Sequence, residues 1–173
     1  MARSFSRTEA TQAISEMRDG LNAVLNDIEG QRRNSDLTPD QQTYLNDYAA
    51  VRMAGYLEQL CFHAISGRIG ELTAGHPQNF INSWFHKSPN LTATQFRDLF
   101  KRFGPEVDEQ VKKFLAAGLN RELLDNLLEI RNSVAHGKEY SRASRESLAT
   151  FRALLTDIDT LVEDILLKPS ALV

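Results

Sequence analysis

Residues 120–137 read NRELLDNLLEIRNSVAHG. On a helical wheel of about 100° per residue, with Leu127 at zero, Leu123, Leu124, Leu128, Ile130, Val134 and Ala135 fall between about −60° and +100°. The pattern predicts a helix with one apolar face, capped by Asn120 at its start and ending at His136 with Gly137 as the stop. Asp125, Glu129, Asn132 and His136 lie opposite that face, between about 140° and 200°. Arg131 breaks the pattern, falling near about 40° in the middle of the apolar arc. A guanidinium is strongly destabilising there unless it meets a carboxylate, a phosphate or a wet interface.

The complementary oddity lies upstream. Thr38, Pro39 and Gln41 form a helix start, an N-cap followed by proline in the first turn and glutamine at the third position. The apolar pattern that follows runs to Leu72, with Gly75 and Pro77 beyond it, and predicts one long central helix. Val51, Gly55, Phe62, Ile65 and Ile69 line one side of it, with Tyr44 and Ala54 in the same stripe, while Met53, Leu57 and Leu60 lie elsewhere. A helix apolar on more than one face is central, or sits between a core and a partner. With Val51 at zero, Glu58 falls near about −20°, inside the stripe. The simplest resolution is that Glu58 and Arg131 meet, as a buried ion pair that orients two helices or as two members of one polar site.

The rest of the chain is helical by the same reading. Ser6 and Glu9 make a capping box for an N-terminal helix over 6–29 that Gly30 stops, and 31–36 read as a linker. Residues 77–86, with Phe80, Ile81, Trp84 and Phe85, predict a short amphipathic helix. Thr92 and Gln95 make a third box, with Leu91 and Phe96 as a hydrophobic staple, for a helix ending at Gly104. Pro105 opens another that closes at Gly118, and a last one runs from about Ser144 to Leu167 before Pro169. No segment alternates with period two over a strand's length. The fold class is all-α, a bundle of about six or seven helices in a single domain over 1–173, with its core at about 38–167.

Composition removes whole classes of function. A lone cysteine, Cys61, makes no internal disulfide and no CxxC metal or redox motif. No apolar run has the length of a signal peptide's core or a membrane span, so a soluble, cytoplasmic protein is expected. The net charge of −3 creates no global positive field, and contact with nucleic acid has to rest on a local basic patch. His63, His76 and His86 share no metal-binding spacing and read as packed or surface residues. Ser133 beside His136 lacks a GxSxG elbow, and no glycine loop cradles a phosphate, which argues against a hydrolase triad or an NTPase. The cations Arg97, Lys101, Arg102, Lys112 and Lys113 around Gly104 read as solvated helix faces. No metal and no cofactor is expected.

The run Arg131-Asn132-Ser133-Val134-Ala135-His136-Gly137 resembles the motif of HEPN domains, an arginine, a polar residue, then three to five residues and a histidine. It closes the penultimate long helix of an all-α chain, as in that superfamily of helical ribonucleases found in defence systems. The aromatic-rich stretch 80–103 is similar to the RiboL-PSP branch, so the resemblance spans about 38–167. It implies a metal-independent endoribonuclease acting as a toxin or antiviral effector, with RNA as substrate and an antitoxin as a further partner. It assigns catalysis to Arg131 and His136. Histidine exchanges a proton near neutral pH and arginine grips a phosphate bidentately. Asn132, four residues before His136 on the same face, is placed to orient the imidazole or the phosphate. Glu58 holds Arg131 or shares proton transfer. Arg131 and His136 point about 140° apart and lie about 7.5 Å apart along the axis, so a homodimer with a composite cleft is expected, as the superfamily also implies. Lys138, Arg142 and Arg145 offer a basic rim for the RNA backbone, offset by Glu139 and Glu146. The contrasting expectation is a non-catalytic HEPN bundle serving RNA binding or protein assembly.

Overall fold

In the computed structural model, which describes residues 6–33, 36–72, 90–137 and 147–168, every regular element is helical. Helix α1 (Arg7–Arg32) begins at the Ser6–Glu9 capping box, with the Glu9 amide donating to Ser6 Oγ and the Ser6 amide to the Glu9 carboxylate. It does not stop at Gly30. The helix runs on to Arg32, and the Arg33 amide closes it on the carbonyls of Gly30 and Gln31. Gly30 keeps a negative φ, whereas a glycine that stops a helix does so by taking the left-handed conformation itself.

Helix α2 (Pro39–Leu72) starts at the Thr38–Gln41 box, in which the Gln41 amide donates to Thr38 Oγ1 and the Thr38 amide to Gln41 Oε1. It is the axle of the fold, packed against α1 on one side and the C-terminal helices on the other. Met53, Ala54, Leu57, Leu60, Cys61, Ala64 and Ile65 are buried. The stripe read as one apolar face divides in two. Ala54, Glu58 and Ile65 go inside, while Tyr44 and Gly55 are exposed. A wheel gives each side chain an angle, but cover depends on where the neighbouring helices end.

Helix α3 (Ala93–Phe100) has its predicted Thr92–Gln95 box and runs through a 3-10 turn (Lys101–Phe103) to Gly104, with Leu91, Phe96 and Phe100 in the core. Helix α4 (Pro105–Ala116) starts with proline in its first turn and is clamped to α3 by Arg97, whose guanidinium donates twice to Asp108 at 2.7 and 2.9 Å. Helix α5 (Asn120–Ala135) is capped at Leu119, not at Asn120. The Asn120 side chain reaches back to donate to the Phe114 carbonyl at 3.0 Å, satisfying the end of α4 instead of the start of α5. Helix α6 (Leu148–Val162) begins at Ser147, whose Oγ accepts from the Thr150 amide, and continues as a π-helical turn (Glu163–Leu167). The short helix predicted over 77–86 and the start of the last helix near Ser144 lie outside the described residues, as do His76 and His86.

Candidate active site

The two charges set in apolar arcs do meet. Where α5 packs on α2, Arg131 Nη2 lies 3.5 Å from Glu58 Oε1. The Glu58 side chain is 10% exposed and that of Arg131 is 29% exposed, so the pair is sunk in the helix contact with one edge open to solvent. Glu58 sits in the buried middle of α2, beside Leu57 and Cys61, and a carboxylate there demands a cation.

Arg131 is gripped from its other end as well. Its Nη1 donates to Asn132 Oδ1 at 3.0 Å, and Asn132 Nδ2 donates to Asn90 Oδ1 at 3.3 Å. Glu58, Arg131, Asn132 and Asn90 thus form a polar chain drawn from α2, α5 and the segment leading into α3. That segment is also fixed to α5 by Asp125, whose Oδ1 accepts the Ala93 amide at 2.7 Å. Asp125 therefore acts at the open start of α3, where the helix dipole favours a carboxylate. The sequence reading missed Asn90 and this use of Asp125, because both act between segments far apart in the chain.

The expected orientation of the His136 ring by Asn132 is not what the structure has. The Asn132 carboxamide is turned to Arg131 and Asn90, and its link to His136 is through the backbone, the His136 amide donating to the Asn132 carbonyl at 3.1 Å. His136 is the C-cap of α5 and is exposed, and Gly137 follows with φ +62°, the left-handed turn that ends the helix. Among the described residues the imidazole has no hydrogen-bond partner, and it stands open to whatever approaches that end of the helix. Lys138, Arg142 and Arg145 lie outside the described residues.

Elsewhere several of the charges are engaged within the fold. Arg97 pairs with Asp108, Lys101 with Asp98, and Lys112 lies 3.5 Å from Glu109, so these three cations have carboxylate partners. His63 packs edge-on against Phe62 and burial lowers its pKa. Burial likewise pushes the Cys61 thiol up, which keeps it protonated and inert. Among the described residues no group of three or more His, Cys, Asp or Glu gathers as metal ligands, and no helix is long and apolar enough to cross a membrane.

A second polar cluster was not foreseen. Tyr56 donates to Asp159 Oδ1 at 2.6 Å and Arg18 Nε to Asp159 Oδ2 at 2.8 Å, while Arg18 also pairs with Glu163. Nearby, Arg152 donates to Glu29 at 2.9 Å and to Asn26 at 3.0 Å. The two arginines flank a cleft of about 230 Å³ between α1 and α6. The signal that exposed Arg131 was present here too, since Asp159 stands between Leu155 and Val162 on the apolar side of α6.

The family model described as RiboL-PSP-HEPN matches residues 16–166. The chain belongs to the RiboL-PSP-HEPN family. The match begins within α1 and ends in the π-helical turn after α6, so the HEPN domain takes in most of the N-terminal helix, upstream of the span over which the resemblance was read. No curated protein and no solved structure was found to match the chain. In this HEPN domain the arginine and histidine of the motif both stand at the C-terminal end of α5, the arginine anchored and the histidine exposed.

Proposed function

We propose that this HEPN chain is a metal-independent endoribonuclease that cleaves RNA through attack of a ribose 2′-hydroxyl on the adjacent phosphodiester. The observation that carries the reading is the arrangement at the end of α5. Arg131 is held by Glu58 and Asn132 with part of its side chain accessible, and an exposed His136 follows five residues on.

In the reaction a base removes the 2′-hydroxyl proton as the new O–P bond forms. The bond from phosphorus to the 5′-oxygen breaks and that oxygen takes a proton, leaving a 2′,3′-cyclic phosphate and a 5′-hydroxyl. Negative charge builds on the phosphate oxygens in between, and a planar guanidinium fixed in place meets it better than a mobile ammonium. His136 at the helix C-terminus suits the acid role at least as well as the base role, since the dipole there favours an imidazolium. Because Arg131 and His136 diverge on one helix, the working cleft is shared between two copies around a two-fold axis beside α5, with Arg131 of one facing His136 of the other. The physiological setting we assign is that of a toxin or antiviral effector held in check by an antitoxin protein.

The test is incubation of purified protein with RNA in EDTA. Wild type should cut and leave cyclic phosphate ends, while His136→Ala and Arg131→Ala should each lose about 100-fold or more in rate. Mixing the two inactive variants should restore some cleavage through heterodimers that keep one intact Arg131–His136 pair. Cleavage only with added divalent metal, or variants that cut like wild type, would replace this reading with that of a non-catalytic HEPN module for RNA binding or assembly.

A further inference from the structure

We propose that Asn90 is a positioning residue of the Arg131 site, acting through Asn132. The guanidinium is engaged at both of its terminal nitrogens, Nη2 in an ion pair with Glu58 at 3.5 Å and Nη1 in a hydrogen bond to Asn132 Oδ1 at 3.0 Å. Glu58 is fixed by burial in α2, whereas Asn132 is only half-buried, so a second bond further restrains its carboxamide. A carboxamide has unlike ends. With Oδ1 turned to the arginine, Nδ2 must find an acceptor, and Asn90 Oδ1 supplies it at 3.3 Å. Turned over, Nδ2 would face the Arg131 donor.

Asn90 itself is placed firmly enough for this task. Leu91 and Ala93 after it are buried in the core, and the Ala93 amide is bound by Asp125 on α5, two turns before Asn132. The same helix that carries Arg131 therefore carries the anchor that holds Asn90 beside it. A guanidinium restrained at both ends keeps its plane, and a bidentate grip on a phosphate depends on that plane.

The kinetic part of the test rests on the ribonuclease reading, and the spectroscopic part does not. Asn90 is exposed, so its truncation leaves the core intact. Asn90→Ala removes the acceptor and Asn90→Asp keeps one at the same place. In ¹H–¹⁵N spectra, Asn90→Ala should shift the Asn132 Nδ2 signals and average the Arg131 Nη signals, whereas Asn90→Asp should keep both near their wild-type positions. On RNA, Asn90→Ala should lower kcat by about 10-fold with little change in KM, and Asn90→Asp should recover most of it. Unchanged Asn132 and Arg131 signals in Asn90→Ala overturn the proposal, whatever the activity. Signals that respond as expected in a protein that cuts no RNA uphold the positioning role and overturn the ribonuclease reading alone.

Discussion

Arg131 has two tasks that pull on the same variant. It neutralises Glu58 inside the α2–α5 contact and presents a guanidinium at the surface. Arg131→Ala removes the guanidinium that lies 3.5 Å from the buried Glu58 carboxylate, at a cost of about 1–3 kcal/mol. Urea unfolding should show this loss, and adding Glu58→Gln should return part of it. Strict additivity in that double-mutant cycle would mean that the two residues do not interact. His136 is exposed, so His136→Ala should change stability by no more than about 0.5 kcal/mol. The two variants are therefore unequal probes of the proposed chemistry. Loss of cleavage in His136→Ala speaks of the reaction, whereas loss in Arg131→Ala has to be read beside its melting curve. The pairing was legible from the sequence because each charge interrupts an apolar arc. The partner of Asn132 was not, since a polar residue on a polar face gives no sign of what it touches.

At the scale of helices, α1 and α2 approach so closely that glycine is required at one place and tolerated at another. A Cβ on Gly67 would lie 2.6 Å from Ala10 Cβ and 3.4 Å from the Arg7 Cα, so Gly67→Ala has to push the start of α1 off α2. The expected loss is about 1–3 kcal/mol. Gly55 lies on the same helix, exposed, and a Cβ there meets nothing within 4 Å. Gly55→Ala should stabilise by about 0.5–1 kcal/mol, because alanine has the better helix propensity and a less flexible unfolded chain. Thermal melts of the two variants should move in opposite directions. A fall in both would mean that the Gly55 face is covered, and a rise in both would contradict the close helix contact. Helix boundaries were legible wherever a capping box marked them, at Ser6, Thr38 and Thr92. They were misread at Gly30 and Asn120, where residue type suggested a boundary that the neighbouring backbone did not need.

Across the whole molecule, Asp159 ties the last helix to the first two, accepting from Tyr56 on α2 and Arg18 on α1. Burial is the largest influence on its carboxyl and raises the pKa, while the bonds from Tyr56 and Arg18 pull it down without fully offsetting burial. A carboxyl whose pKa is higher folded than unfolded binds its proton more tightly in the folded state. Its favourable contribution is complete below the unfolded value, about 3.9, and is lost as pH rises through the folded one. Wild type should therefore lose stability relative to Asp159→Asn as pH climbs from the ordinary aspartate range through the raised value. Urea midpoints of both proteins across that window measure the difference directly. A flat difference, or one that grows in favour of wild type, would show that Arg18 and Tyr56 outweigh burial.

The sequence by itself determined the helical class, most helix starts, the motif at the end of α5 and the meeting of Glu58 with Arg131. These follow from local chemistry, namely which side of its own helix a residue occupies and which cap fits the first turn. Only the tertiary structure decided that Asn132 turns to Asn90, 42 residues away, that Asn120 serves the helix before it, and that Tyr56 and Asp159 meet across 103 residues. Periodicity gives a side chain's direction around its own axis. Which neighbour stands in that direction, and at what distance, depends on how the helices cross, and that is set by the packing of the whole core.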